Sequence, residues 1–248
     1  MSSYGSLADD FFVNIGLYTA LDLPSGRETV LHFCEAVQKE FPQMTAFYQG
    51  EGKEFVLEGD RQAGNYRWME VHPQRLLAGY FNPPDVEDAY ALHRWLLGRS
   101  VYFLGVSPLD VDSLDVTFGF NMDYQGNRDK LVAEALLGGS AFGAFALDEE
   151  CRGIGCEPSA ILALDEECSL QARLSVETRS SAYQVQTGQY DDEPISVYLT
   201  VRSYPTPGRL LNAEEAFDLQ REVGEGLIDR LVIPQTIRPI AAAIAAAQ

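Results

Sequence analysis

Two cysteines in this chain end identical hexapeptides, Ala146-Leu147-Asp148-Glu149-Glu150-Cys151 and Ala163-Leu164-Asp165-Glu166-Glu167-Cys168. Their thiolates, joined by Cys156 and completed by the neighbouring carboxylates, form a donor set that zinc accepts. The spacing Cys-x4-Cys-x11-Cys matches no strong zinc pattern, and no histidine stands near it. Three readings remain open: a metal site, a disulfide between Cys151 and Cys168, or two strand ends in an acidic surface loop. The loop is the plainest of these, and no metal or cofactor is expected. His32, His72 and His93 are scattered and have no serine or cysteine partner in a recognisable frame. The chain has no G-x-S-x-G elbow, phosphate-binding glycine loop or H-E-x-x-H helix. Carboxylates are so numerous that no pair stands out as an acid–base couple. Catalysis is therefore not expected, although an enzyme without a readable motif stays an alternative.

Binding chemistry is more legible, because it follows from strand alternation. Over residues 10–20, Phe11, Val13, Ile15 and Leu17 point one way; Phe12, Asn14, Gly16 and Tyr18 point the other. The same alternation sets Thr117 and Asn121 opposite Val116, Phe118 and Phe120. It sets Gln171 and Arg173 opposite Ala172 and Leu174, and Tyr198, Arg202 and Tyr204 opposite Val197, Leu199 and Val201. If the apolar sets meet helices, the candidate binding residues are Asn14, Tyr18, Thr117, Asn121, Gln171, Arg173, Tyr198, Arg202 and Tyr204. Tyrosine, arginine and amide side chains are suited to contact without catalysis. The rival reading is an ordinary wetted sheet face.

The elements that position these residues come in two similar sets. Residues 85–104 and 212–231 align at an offset of 127: Glu87 with Glu214, Ala89 with Ala216, Leu92 with Leu219 and Arg94 with Arg221. Asp85 and Asn212 stand as helix-starting caps in the two copies. Ahead of the first copy, a strand at 10–20 leads to a helix at about 27–41, and extended runs follow near 44–49, 53–59, 65–71 and 75–82. Ahead of the second, a strand near 113–123 leads to a helix near 128–138, with strands expected near 159–165, 168–179, 183–188 and 194–204. The fold class is therefore α+β, a tandem pseudo-repeat (β-α-β4-α)x2 with its helices on one face of an antiparallel sheet. The first half spans 1–107. The second spans 113–233, with an insertion near 138–158, and an Ala-rich tail follows over 234–248.

This order of elements resembles the duplicated unit of the TATA-binding-protein-like fold. The resemblance covers residues 10–232 and is one of topology, without a shared motif. It implies one curved, saddle-shaped sheet with helices on the convex face. In that family the concave face grips the DNA minor groove with basic residues and Phe wedges. This chain departs from the pattern: it has 18 Lys and Arg against 37 Asp and Glu, a net charge of −19. Phosphate contacts need cations, so no nucleic-acid partner is expected.

A hydrophobic content of 46% in 248 residues is enough for a sizeable core. No stretch suits a membrane span, and MSSYGSLADD lacks the basic-then-apolar pattern of a signal peptide. A cytoplasmic setting is expected. The leading expectation is a non-enzymatic binding or scaffold protein that holds a protein, a peptide or a small ligand on the sheet face or its acidic rim. The alternative is a sensor for a small, cationic molecule, with a cleft between the halves.

Overall fold

A computed structural model describes residues 4–148, 150 and 153–247. Nine antiparallel strands form one open sheet in the order β2-β3-β4-β5-β1-β6-β9-β8-β7. The strands are β1 (Asp10–Thr19), β2 (Ala46–Gln49), β3 (Phe55–Glu58), β4 (Tyr66–His72), β5 (Arg75–Phe81), β6 (Val111–Met122), β7 (Ser159–Ala163), β8 (Leu170–Glu177) and β9 (Ile195–Ser203). The helices are α1 (Arg27–Glu40), α2 (Val86–Phe103), α3 (Arg128–Leu137), α4 (Ala141–Ala146), α5 (Ala182–Thr187), α6 (Ala213–Leu227) and α7 (Arg238–Ala247). Among the described residues, no helix is long and apolar enough to cross a membrane.

The centre of the sheet is the β1–β6 pair, in which Phe11 lies opposite Phe120 and Ile15 opposite Val116. These residues, with Val13, Leu17, Leu114 and Phe118, are buried beneath the helices. The apolar stripes of the helices meet them: Val30, Phe33 and Val37 of α1, Ala89 and Tyr90 of α2, and Ala216, Phe217 and Leu227 of α6 are all buried. Asp85 caps α2 by accepting from the Glu87 amide, and Asn212 caps α6 through the Glu214 and Glu215 amides. Gly224 of α6 lets the helix approach the Phe118 ring; a side-chain carbon there would collide with it. Beyond Leu227 the helix widens into a π-helical segment, Ile228–Ile237, which contains Pro234. Proline has no amide hydrogen to donate and breaks the α-helical ladder. The Ala-rich tail then returns to α-helix as α7, docked through the buried Ile240.

One expected strand is absent. The segment read as a strand over 183–188 is the short helix α5. Its alternation of Tyr183 and Val185 is overridden by a capping box: the Ser181 hydroxyl accepts from the Gln184 amide, and Gln184 Oε1 accepts from the Ser181 amide. Gly188 ends it in a left-handed conformation. The register leaves no room for another strand there, because Glu177 of β8 pairs directly with Ser196 of β9. The second half therefore has three strands after its first helix, not four. The segment 138–158, expected as an insertion, contains α4.

Candidate ligand-binding face of the sheet

With the helices on one side, alternation turns Phe12, Asn14, Gly16 and Tyr18 of β1 to the uncovered side. Cross-strand register brings Phe81 and Gly79 of β5 beside Phe12 and Asn14, then Tyr66 and Trp68 of β4 beside those. On the other flank, Gly119 and Thr117 of β6 face Phe12 and Asn14, followed by Tyr198 and Thr200 of β9.

Two glycines shape this surface. A Cβ at Gly119 would run into the Phe12 ring. A Cβ at Gly79 would strike Asn14 Oδ1 and lie 2.6 Å from Trp68 Nε1. The larger side chains lie over the glycine backbones. Tyr66, Phe81 and Phe12 form a stacked row, with centroids 5.4 Å apart at 28° and then 6.0 Å apart at 19°. Tyr198 meets Phe12 at 6.1 Å and 60°. Beside the row is a depression of about 370 Å³, walled by Phe12, Tyr66, Trp68 and Phe81 with polar groups of Asn14, Arg61, Glu70 and Asn121. Asn14 Oδ1 is buried there with no hydrogen-bond partner among the described residues.

Three arginines on this face are held by acids, whereas Arg75, opposite Tyr18, and Arg173, bonded to Ser159, have no carboxylate partner among the described residues. Arg61 lies over the Tyr66 ring at 5.7 Å and holds Glu58 at 2.6 Å. Arg179 reaches Glu177 at 3.0 Å, the Tyr198 hydroxyl at 2.6 Å and Ser196 Oγ at 2.9 Å. Arg202 forms a two-pronged pair with the buried Asp115 and lies between the rings of Tyr18 and Tyr204. Its hydrogen bond to Asp115 holds its pKa above the ordinary arginine value, so it stays cationic. Burial, and then Asp115, push the Tyr18 hydroxyl up. Glu70 is bonded to His72 at 2.8 Å. The face is therefore aromatic and hydrogen-bonding, with most of its arginines held by acids.

The nine residues expected from alternation fall into separate groups. Asn14 and Asn121 line the depression and Tyr198 adjoins it; Asn121 Oδ1 accepts from Ser196. Tyr18, Arg202 and Tyr204 belong to the Asp115 ion pair. Thr117 is bonded to Thr200 at 2.8 Å. Arg173 is bonded to Ser159 and Gln171 to the Cys168 carbonyl, both toward the β7 edge. Sequence reasoning missed Tyr66, Trp68, Phe81, Glu70, Arg61 and Arg179. Phe12 was legible by alternation in the outward set. The phase of β4 and β5 was not, because both strands carry large side chains on both faces, Trp68 against Met69 and Val71 in β4 and Phe81 against Tyr80 in β5.

The other candidates lie apart from this face. Cys34 and Cys156 are buried free thiols, raised by burial, Cys34 to about 12. Cys168 is free and exposed, while Cys151 lies outside the described residues. Among the described residues, no three His, Cys, Asp or Glu side chains converge as a metal site. A second depression, of about 310 Å³, lies between the ends of β8 and β9 and the start of α6. Its polar lining includes Asn212, which caps α6, and Asp165, which accepts from Ser169 and the Leu170 amide. The sequence matches no protein-family model and no curated protein.

Proposed function

We propose that this chain is a binding protein and that its uncovered sheet face holds a flat, heteroaromatic small molecule beside the Tyr66–Phe81–Phe12 row. The observation that carries this reading is the placement of rings over Gly79 and Gly119, which builds an apolar stacking surface where a sheet usually presents short polar side chains. Stacking on aromatic faces adds about 0.5–1.5 kcal/mol per pair beyond area burial. The Trp68 indole N–H and the amides of Asn14 and Asn121 supply hydrogen bonds to polar atoms on a ring edge. The depression lies within the range of ligand sites, near its small end, which suits a ring of purine or pterin size.

The strand order runs outward from the central pair as 5-4-3-2 beside β1 and as 9-8-7 beside β6, which supports reading the halves as copies of one unit. The layout keeps its resemblance to the TATA-binding-protein-like fold. The net charge of −19 and the pairing of Arg61, Arg179 and Arg202 with acids argue against the minor-groove use of that face.

Trp68 and Trp95 are the two tryptophans of the chain. In a Trp95→Phe protein, Trp68 reports on the depression alone. Purines, pterins, indoles and isoalloxazines should include a compound that quenches its fluorescence and raises the melting temperature by mass action. Phe81→Ala should weaken that compound about ten-fold, as expected when about 1.4 kcal/mol of stacking is lost. If every ring class fails to shift both signals at millimolar concentration, the reading is wrong.

A further inference from the structure

The β7 edge carries a second, independent interaction surface. All five residues of β7 are exposed, with Ile161 at 63% and Leu162 at 50%. Pairing with β8 matches Ile161 with Arg173 and Leu162 with Ala172. The Leu164 amide donates to the Leu170 carbonyl, and the Val176 amide to the Pro158 carbonyl. These two bonds set the phase of the ladder. Residues 158, 160, 162 and 164 exchange bonds with β8, so the amide and carbonyl groups of Ser159, Ile161 and Ala163 point outward. Among the described residues, no strand lies beyond β7 in the sheet. Nor does the edge have the charge or internal proline that usually protects one.

The ends of this edge are acidic. Glu157 precedes it, and the exposed run Asp165, Glu166 and Glu167 follows it. We propose that β7 accepts an extended, basic segment of a partner protein as an added antiparallel strand. Three outward residues supply six ladder bonds, two for each residue. Apolar side chains at the middle of the segment cover Ile161 and Leu162, and Lys or Arg at its two ends meet Glu157 and Asp165 to Glu167. Arg173, opposite Ile161 in the register, is bonded to Ser159 Oγ at 3.2 Å. A second copy of the chain fits less well. Self-pairing centred on Ile161 places Glu157 of each copy against Asp165 of the other, between two bodies that each carry −19.

The test uses the full chain and a fluorescein-labelled peptide, KRTVTVTRK, read by anisotropy. Saturable binding is expected, about ten-fold weaker when salt rises from about 0.05 to 0.5 M. The acidic counterpart, EETVTVTEE, should not bind. Glu166→Lys with Glu167→Lys should weaken the basic peptide, and Ile161→Pro, which removes an outward amide but no β8 bond, should weaken it about ten-fold or more. A basic peptide N-methylated at all of its central amides tests the ladder without altering the protein, and it should not bind. Failure of the basic peptide to bind would overturn the proposal. So would equal binding of the acidic peptide, or full binding of the methylated form. A concentration-dependent dimer in sedimentation that Ile161→Pro abolishes would assign the edge to a second copy instead.

Discussion

His93 allows a quantitative test of the core. It lies on α2 with no solvent exposure, edge-on to Phe217 at 5.9 Å and 83°. Neither ring nitrogen has a hydrogen-bond partner among the described residues. Burial holds its pKa down to about 3, against 6.5 in a solvated chain. The unfolded chain therefore binds a proton below pH 6.5 that the folded chain refuses until about pH 3. Stability attributable to this residue is intact above pH 6.5 and falls as the pH drops through that window. At pH 5 the shift has acted over about 1.5 pH units, or about 2 kcal/mol; near pH 3 the loss approaches about 5 kcal/mol. His93→Leu has similar volume and no proton to bind. It also removes two unpaired buried polar atoms, so it should not be less stable at pH 7.5. The assay is urea denaturation of both proteins at pH 7.5 and pH 5.0. The carboxylates titrate alike in both and cancel in the difference. The variant's advantage should grow by about 2 kcal/mol between the two pH values. Parallel stability curves would refute the reasoning and show that the imidazole is solvated or paired.

Other substitutions test the frame around the site. Phe217→Ala should destabilise by about 3–5 kcal/mol, since the ring is fully buried against Tyr90 and His93; a denaturant melt that moves by less than about 1 kcal/mol would place it at the surface. Arg128 is fully buried and donates to the carbonyls of Thr178, Asp191 and Glu193, tying the loops around α5 to α3. Arg128→Met should cost about 3–5 kcal/mol and make the 178–194 segment the first site of proteolysis, and Arg128→Lys should not restore it, lacking the planar fork. Gly119→Val should displace the Phe12 ring and weaken any ring ligand found with the Trp95→Phe protein, while its far-ultraviolet spectrum stays unchanged. Duplex DNA should give no gel shift at physiological salt, because the arginines at 61, 179 and 202 are already paired with acids.

Local patterns determined much of this protein. Alternation over 10–20 and 113–123 placed Phe11, Val13, Ile15, Val116 and Phe118 in the core before any contact was known, because a strand has only two sides. The Asp85 and Asn212 caps marked where two helices begin. Tertiary structure decided the rest. The strand expected at 183–188 became α5, because a capping box within four residues and the direct Glu177–Ser196 pairing outweighed alternation. The pairing of β1 with β5 and β6 set which side chains became neighbours: Tyr66, Phe81 and Phe12 lie far apart in sequence and form one row only through strand register. Gly79 and Gly119 present no side chain, and in the sheet they are the floor on which Trp68 and Phe12 rest. His93 looked like an ordinary helical histidine, and only the closing of α2 against α6 removed its water. Periodicity reports which side of an element is apolar; register and close approach decide what meets there, and these depend on residues distant in the chain.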